Sequence, residues 1–345
     1  GVTMKREYTN RKIVLNRRPQ GELRDGDLSM LSEPVRELSQ GQFLLKTIWL
    51  SLDPYMRPRM SEIKNYLAPI GIGKVIVGET VSVVVESKSE KYKQGDLVTC
   101  FSGWQEYFSA HESMENIYHI DDQGLPLSVF LGSAGMTGRT AYSGLTFIGK
   151  PKRGETLVVS AAAGSVGTVV GQLAKAQGCR TVGIAGGPQK CQFLLDEMGF
   201  DAAVDYRAGD LRSQLKSACP DGIDIYFENV GGDVAKAVAP LLNKGARVPI
   251  CGYVSAYNSQ DLDTAETPMD IFGALSEPPE FRYFQVREWH DQYHQITALL
   301  TEKVRNGEIK YTETVAQGLD NAEAAFIGLL GGANLGKQLV KVADY

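Results

Sequence analysis

The chain has 345 residues, room for two ordinary domains, and its 43% hydrophobic and 22% charged residues are those of a globular protein. A net charge of −5 with no Lys/Arg run argues against a nucleic-acid surface, and the apolar stretches are too short to span a membrane. Five scattered cysteines at no metal-ligand spacing, and a first ten residues without the apolar core of a secretory signal, predict a reduced, cytoplasmic setting.

Residues up to about 122 read as β-rich. QFLLKTIWLSL, KVIVGETVSVVVES and DLVTCFSGWQEYFSA are rich in Val, Thr and aromatics and punctuated by Gly, Pro and Asp. Residues 132–149 turn helix-compatible. From Thr156 strand and helix alternate, with strands expected at 157–160, 181–185, 202–206, 223–228, 247–251 and 281–286. Helical patterns fall between them, for example at 189–198, 233–242 and 292–305. Six strands with crossover helices predict a doubly wound parallel sheet. From Ile309 the tail returns to mixed β character, with a short helix at 322–330 and a strand at 337–342. A tail that matches the first domain predicts a discontinuous domain closed by both chain ends.

The segment TLVVSAAAGSVGTVVGQLAKAQGCRTVGIAGGPQK (156–190) carries the most information. An apolar run leads into a small-residue turn with Gly164 and Gly167. Val166, Val169, Val170, Leu173 and Ala174 then recur at helical spacing, and a second apolar run follows Gly178. This strand–turn–helix–strand unit binds a dinucleotide at its helix start, where glycines admit the pyrophosphate and free N–H groups hold it. NAD sites place an acid at the end of the second strand. Here Gly186, Gly187, Pro188, Gln189 and Lys190 occupy that place. The missing acid and the added cation favour NADP(H), although Lys190 also reads as an ordinary exposed lysine in the next helix's first turn.

Other chemistry is poorly represented. His111-Glu112 opens like HExxH, but the fifth position is Glu115, and the cysteines do not cluster for zinc. Neither a phosphate loop ending in Gly-Lys-Ser/Thr nor a G-x-S-x-G elbow is present. Hydride chemistry then depends on hydrogen-bond donors. Of fifteen tyrosines, two sit suggestively. Tyr55 lies in the Pro-marked turn SLDPYMR. Tyr257, in CGYVSAYN, follows the carboxyl end of an expected parallel strand, where ligands bind in such sheets. The plain alternative for Tyr257 is a loop tyrosine at a contact surface.

SLDPYMRPRM, GETVSVVVES, GDLVTCFSGWQEY, GMTGRTAYSGL, SAAAGSVGTVVGQLAKAQGC, ENVGG, CGYVSAYN and FIGLLGGANLGKQLV run over nearly the whole chain. Together they resemble the zinc-independent medium-chain dehydrogenases/reductases, in the group of prostaglandin reductase (leukotriene B4 12-hydroxydehydrogenase) and plant double-bond reductases, nearest to bacterial NADPH-dependent curcumin reductases. The resemblance implies an α/β protein: a GroES-like β-rich catalytic domain (1–125 and 307–345) and a Rossmann NADP-binding domain (126–306), with NADPH in the cleft. It implies that Gly164, Ser165, Val166 and Gly167 lie along the pyrophosphate, and that Gly186, Lys190 and Tyr206 flank the 2′-phosphate. Asn229, Cys251, Gly252 and Tyr257 line the cofactor, Phe284 and Val286 lie on the nicotinamide side, and Asn334 reaches in from the tail. Where zinc members carry Gly-His-Glu, near 69–75, this chain reads PIGIGKV. Tyr283-Phe284-Gln285-Val286 replaces the group's usual Gly-Phe-Ile-Val, and 259–280 diverges, which puts the substrate range in question.

The expected reaction is reduction of the carbon–carbon double bond of an α,β-unsaturated ketone or aldehyde, a curcumin-type enone. Hydride goes to the β-carbon, and the enolate is met by Tyr257 and the ribose hydroxyl, with Tyr55 as a secondary donor. Tyr66 and Tyr253 are expected in the substrate pocket. A quinone reductase with the same cofactor and a non-catalytic NADPH-binding sensor are the competing readings. The resemblance also implies a homodimer extended edge to edge through the nucleotide-domain sheets.

Overall fold

The computed structural model describes residues 4–62, 68–257 and 264–345, and of residues 4–7 only the backbone. The chain divides into two compact units. The first takes the chain up to Leu131, with Thr314–Ala333 and Gln338–Tyr345. The second takes Gly132–Glu313 and Asn334–Lys337.

The first unit begins with strands β1 (Met4–Leu15) and β2 (Leu28–Arg36), paired antiparallel as a sheet of their own. β3 (Gln42–Ser51), β4 (Thr80–Ser87), β5 (Leu97–Cys100), β6 (Tyr107–His111) and β7 (Tyr118–His119) follow.

The second unit alternates. Helix α1 (Met136–Ser143) runs into a wider π-turn at Gly144–Gly149. β8 (Thr156–Val159), α2 (Ser165–Ala176), β9 (Arg180–Ala185), α3 (Pro188–Asp196), β10 (Ala202–Asp205), α4 (Leu211–Ala218) and β11 (Ile223–Phe227) come next. α5 (Gly232–Val238), β12 (Leu242–Ile250), α6 (Pro268–Gly273), β13 (Glu280–Tyr283) and α7 (Tyr293–Arg305) complete it.

The chain then adds β14 (Glu313–Gln317), α8 (Ala322–Leu330) and β15 (Lys337–Lys341). β14 and β15 extend the first unit's sheet in the order β14-β15-β3-β4-β5-β7, with β6 also on β3. Leu339, Val340 and Lys341 of β15 pair antiparallel with Ser51, Leu50 and Trp49. Val340 and Phe326 of the tail join Leu15, Leu50, Met56 and Trp104 in one buried cluster, and Phe326 meets the Trp104 ring edge-on.

In the second unit the sheet order is β10-β9-β8-β11-β12-β13, all parallel, the doubly wound Rossmann arrangement. Its central strands are mostly apolar because helices cover both faces; all four residues of β8 are buried. Val158, Val182, Ile184, Tyr226, Val248 and Phe272 form its core. Parallel pairing brings the carboxyl ends of β8, β11 and β12 to one edge, where ligands bind in such sheets.

Several boundaries differ from the sequence expectation. β12 begins at Leu242 rather than at 247, and the helix expected at 233–242 ends as α5 at Val238. β13 stops at Tyr283 rather than at 286, because Gln285 and Glu288 form a capping box and Gln285 N donates to Glu288 Oε2 at 2.8 Å. The divergent stretch contains α6, opened by Thr267 and Asp270 in a second capping box with Pro268 in its first turn. Among the described residues, no helix is long and apolar enough to cross a membrane.

Candidate active site

The glycine turn forms because β8 must reverse direction into α2 within five residues. Ala161 takes a left-handed φ of 47°, its carbonyl accepts Gly164 N at 3.1 Å, and Ala162 N donates to Ile184 O. A Cβ on Gly167 would lie 2.4 Å from Ala161 O and 2.7 Å from Ala162 Cα, so only glycine lets the helix close on the turn. Gly164 caps α2 with no side-chain hydrogen bond, and Ser165 and Val166 of the first turn are half-buried. The first N–H groups of this helix have no intrahelical partner and point out as anion donors. Ser165 is oriented by Thr137 of α1, their hydroxyls 2.6 Å apart. Asn334 Nδ2 donates to Gly336 O at 2.8 Å, and Gly336 N donates to Ala163 O at 2.7 Å, so this short return of the tail is bonded to the glycine turn.

The end of β9 leads to a second cluster. A Cβ on Gly186 would lie 2.8 Å from the Tyr206 hydroxyl and 2.9 Å from Arg207 Nε. The Arg207 guanidinium sits 5.6 Å from the Tyr206 ring centre. Half-buried Lys190 has its pKa lowered, first by burial and then by the Arg207 charge. Two cations and a phenol thus gather where a 2′-phosphate is expected. An acid also enters, from the neighbouring strand: Asp205 pairs with Ala185, and its Oδ1 accepts Gly187 N and Arg207 N, each at 2.9 Å. Those backbone donors draw on its charge while tying the two loops together.

At the ends of β11 and β12, Asn229 donates through its backbone N to Ser160 Oγ at 2.9 Å and through Nδ2 to Ser160 O at 2.8 Å. Cys251 and Gly252 N donate to Glu228 O. Tyr257, 5% exposed, lays its hydroxyl against Gly252, where a Cβ would sit 2.8 Å from it. Tyr253 N donates to that oxygen at 3.3 Å, and the two tyrosine rings lie 5.8 Å apart. That backbone N–H fixes the position of the Tyr257 oxygen. The Tyr253 phenol is pushed up, first by burial and then by Tyr283 and Asp270, so it stays neutral.

Phe284 is 2% exposed, and its ring packs against the Gly144 backbone and 6.0 Å from Phe227. The ring belongs to the core, leaving the backbone as its route to a ligand. Half-buried Val286 opens the turn that follows β13. In the first unit, Tyr55 occupies the one-turn helix Pro54–Met56 after Asp53, whose Oδ2 accepts the Ser51 hydroxyl at 2.5 Å. Burial, then Asp53 and Glu79, raise its pKa far above the usual phenol range. Tyr66 lies outside the described residues.

Residues 11–117 match a family described as the N-terminal domain of oxidoreductase, and 165–276 one described as zinc-binding dehydrogenase. The NADPH-dependent curcumin reductase of Escherichia coli is 44% identical over 97% of both chains. The chain belongs to the zinc-independent medium-chain dehydrogenase/reductase family. Within this family, the NADP(+)-dependent 2-alkenal reductase of Nicotiana tabacum is 37% identical over 99% of both chains. The crystal structure of CurA in complex with NADPH from Vibrio vulnificus is 43% identical, covers 97% of this chain and all of its own, and superposes with a TM-score of 0.91. Although the second matched description names zinc, no group of three or more His, Cys, Asp and Glu among the described residues is placed to hold a metal ion.

Arg207, Asp205, Ser160 and Glu228 went unassigned in the sequence. Arg207 adjoins the singled-out Tyr206 and Glu228 opens the quoted ENVGG, but which side chains converge on them depends on strand pairing.

Proposed function

We propose that this protein is an NADPH-dependent reductase of the carbon–carbon double bond of α,β-unsaturated ketones and aldehydes. The observation that carries this reading is the Tyr257 hydroxyl held over Gly252 by Tyr253 N, at the sheet edge that also presents the glycine turn. The full-length relatives, named as reductases of curcumin and 2-alkenals, support the substrate class.

The donor set fits a 2′-phosphorylated dinucleotide. The uncapped start of α2, with Gly164, Ser165, Val166 and Gly167, would hold the pyrophosphate. Lys190, Arg207 and Tyr206, beside Gly186, would hold the 2′-phosphate, and Asn229, Cys251, Gly252 and Asn334 would shape the remaining wall. When bound, NADPH supplies a hydride for the β-carbon. Tyr257 holds its proton for the substrate's carbonyl oxygen, where negative charge gathers as the enolate forms; a preorganised neutral donor there lowers the barrier without first being desolvated as an ion. Tyr55 serves as a second neutral donor or pocket wall, and Tyr253 as a pocket residue.

All five cysteines are free thiols, which supports a reduced, cytoplasmic setting. β13 is an edge strand of its sheet, which supports a homodimer joined there. The test is a steady-state panel of enones, dienones and simple quinones with NADPH and NADH in parallel. Fast NADPH oxidation with enones is expected. Turnover confined to quinones, or tight NADPH binding with no turnover, overturns the reading, and a preference for NADH overturns the Lys190–Arg207 assignment.

A further inference from the structure

Glu228 is the most deeply buried acid near the cofactor edge, and the proposed reaction gives it no role. It is 0% exposed. Its Oε2 accepts the Tyr226 hydroxyl, the Ser160 hydroxyl at 3.2 Å and Val230 N at 3.1 Å. Its other oxygen, Oε1, is buried without a well-formed hydrogen bond, although Gly231 N also acts on the carboxyl. Leaving a carboxyl oxygen unsatisfied in the interior is costly, and such exceptions call for a reason. A side chain kept for packing alone would avoid this cost.

The three donors point to the reason. Ser160 follows β8 and leads directly into the Ala161–Gly164 turn; its hydroxyl donates to Glu228 and accepts Asn229 N. Val230 follows Asn229, so the carboxyl group closes over the turn at the end of β11 from inside. One side chain therefore sets the spacing between two cofactor-facing elements from separate strands: the start of the glycine turn and the Asn229 loop. Tyr226 lies in the core, and its hydroxyl meets both Glu228 and Ser160. Burial pushes the Glu228 carboxyl up, while the hydrogen bonds from Tyr226, Ser160 and the following backbone N–H groups draw it down.

We infer that Glu228 is a positioning residue for cofactor binding, its carboxyl group acting through Ser160 and Val230 to hold the glycine turn and the Asn229 loop in register. This rests on the NADPH reading above. It is tested on the full-length protein by measuring NADPH affinity through fluorescence or calorimetry, together with Tm and the separate kcat and KM values. Glu228→Leu leaves the donors of Ser160 and Val230 unsatisfied and is expected to weaken NADPH binding about tenfold or more, raising KM for NADPH with kcat at saturation little changed. Glu228→Gln keeps an acceptor oxygen for Ser160 and Val230, so it restores most of the affinity. Tyr226→Phe removes one donor but keeps the Ser160 and Val230 contacts, so it lowers Tm with a smaller loss of NADPH affinity than Glu228→Leu. Ser160→Ala reproduces the affinity loss, and the Ser160→Ala/Glu228→Leu double variant is less than additive, as for two members of one contact chain.

A Glu228→Leu protein with lowered Tm and wild-type NADPH affinity overturns the inference. If that variant does not fold, unchanged affinity in Ser160→Ala overturns it alone. Absence of NADPH binding in the wild type defeats the functional reading instead.

Discussion

The two tyrosines singled out as donors sit in opposite surroundings. Tyr55 lies in a proline-opened turn of the first unit, near the buried carboxylates of Asp53 and Glu79, and packs on the cluster around Met56 and Trp104. Tyr257 lies seven residues past the end of β12, its hydroxyl resting on a glycine and receiving a backbone N–H. Both phenols are neutral donors by residue type, but only Tyr257 has its oxygen fixed by backbone at the ligand-binding edge of a parallel sheet. A donor's worth in catalysis depends on being fixed before charge develops, more than on its intrinsic acidity.

The largest test of that contrast is Tyr257→Phe, expected to lower kcat on a good enone by about 10–1,000-fold with NADPH affinity little changed. Unaltered turnover would erase the distinction between the two tyrosines. Gly252→Ala tests the same hydroxyl without removing it. Its new methyl would overlap the Tyr257 oxygen, and the displacement should cost about 10–100-fold in kcat, measured beside Tyr257→Phe to ask whether the two losses coincide. Tyr55→Phe should cost less than about tenfold in kcat, appearing mainly in the enone KM; a loss equal to that of Tyr257→Phe would make the two donors equivalent.

The smallest effect concerns the unit that carries Tyr257. Arg247 holds Glu155 through both guanidinium ends, at 2.8 and 2.6 Å, and also binds the carbonyls of Gly149 and Lys150. Glu155→Gln should destabilise the protein by about 1.5–3 kcal/mol at neutral pH. Arg247 lowers the Glu155 carboxyl below its ordinary value of 4.5 in the folded state. The pair's stabilisation is therefore fully present above that value and lost as pH falls through the depressed one. Thermal scans of wild type and Glu155→Gln from pH 7 downward should converge at acid pH; a constant gap would deny the linkage.

The alternating half of the fold was legible because its signals are local. Apolar runs of four to six residues separated by helical periodicity mark β8, β9, β10 and β11 within a residue or so. The glycine turn was legible for a similar reason, since the close approach at Gly167 demands a missing Cβ whatever lies elsewhere. The boundary of β13 was not, because the Gln285–Glu288 capping box overrode an apolar pattern that continues to Val286. Nor was α6, whose Thr-Pro-x-Asp start lies inside a stretch read as divergent loop.

The order of elements, the glycine turn with its phosphate-binding chemistry and the missing acid after β9 follow from the amino-acid sequence alone. Only the tertiary structure decided that Asp205 and Arg207 come up beside Gly187 and Lys190, that Glu228 reaches Ser160 from 68 residues away, and that the Tyr257 hydroxyl rests on Gly252. The reason is physical: periodicity and turn chemistry act over a few residues, whereas these meetings are set by the register in which distant strands pair.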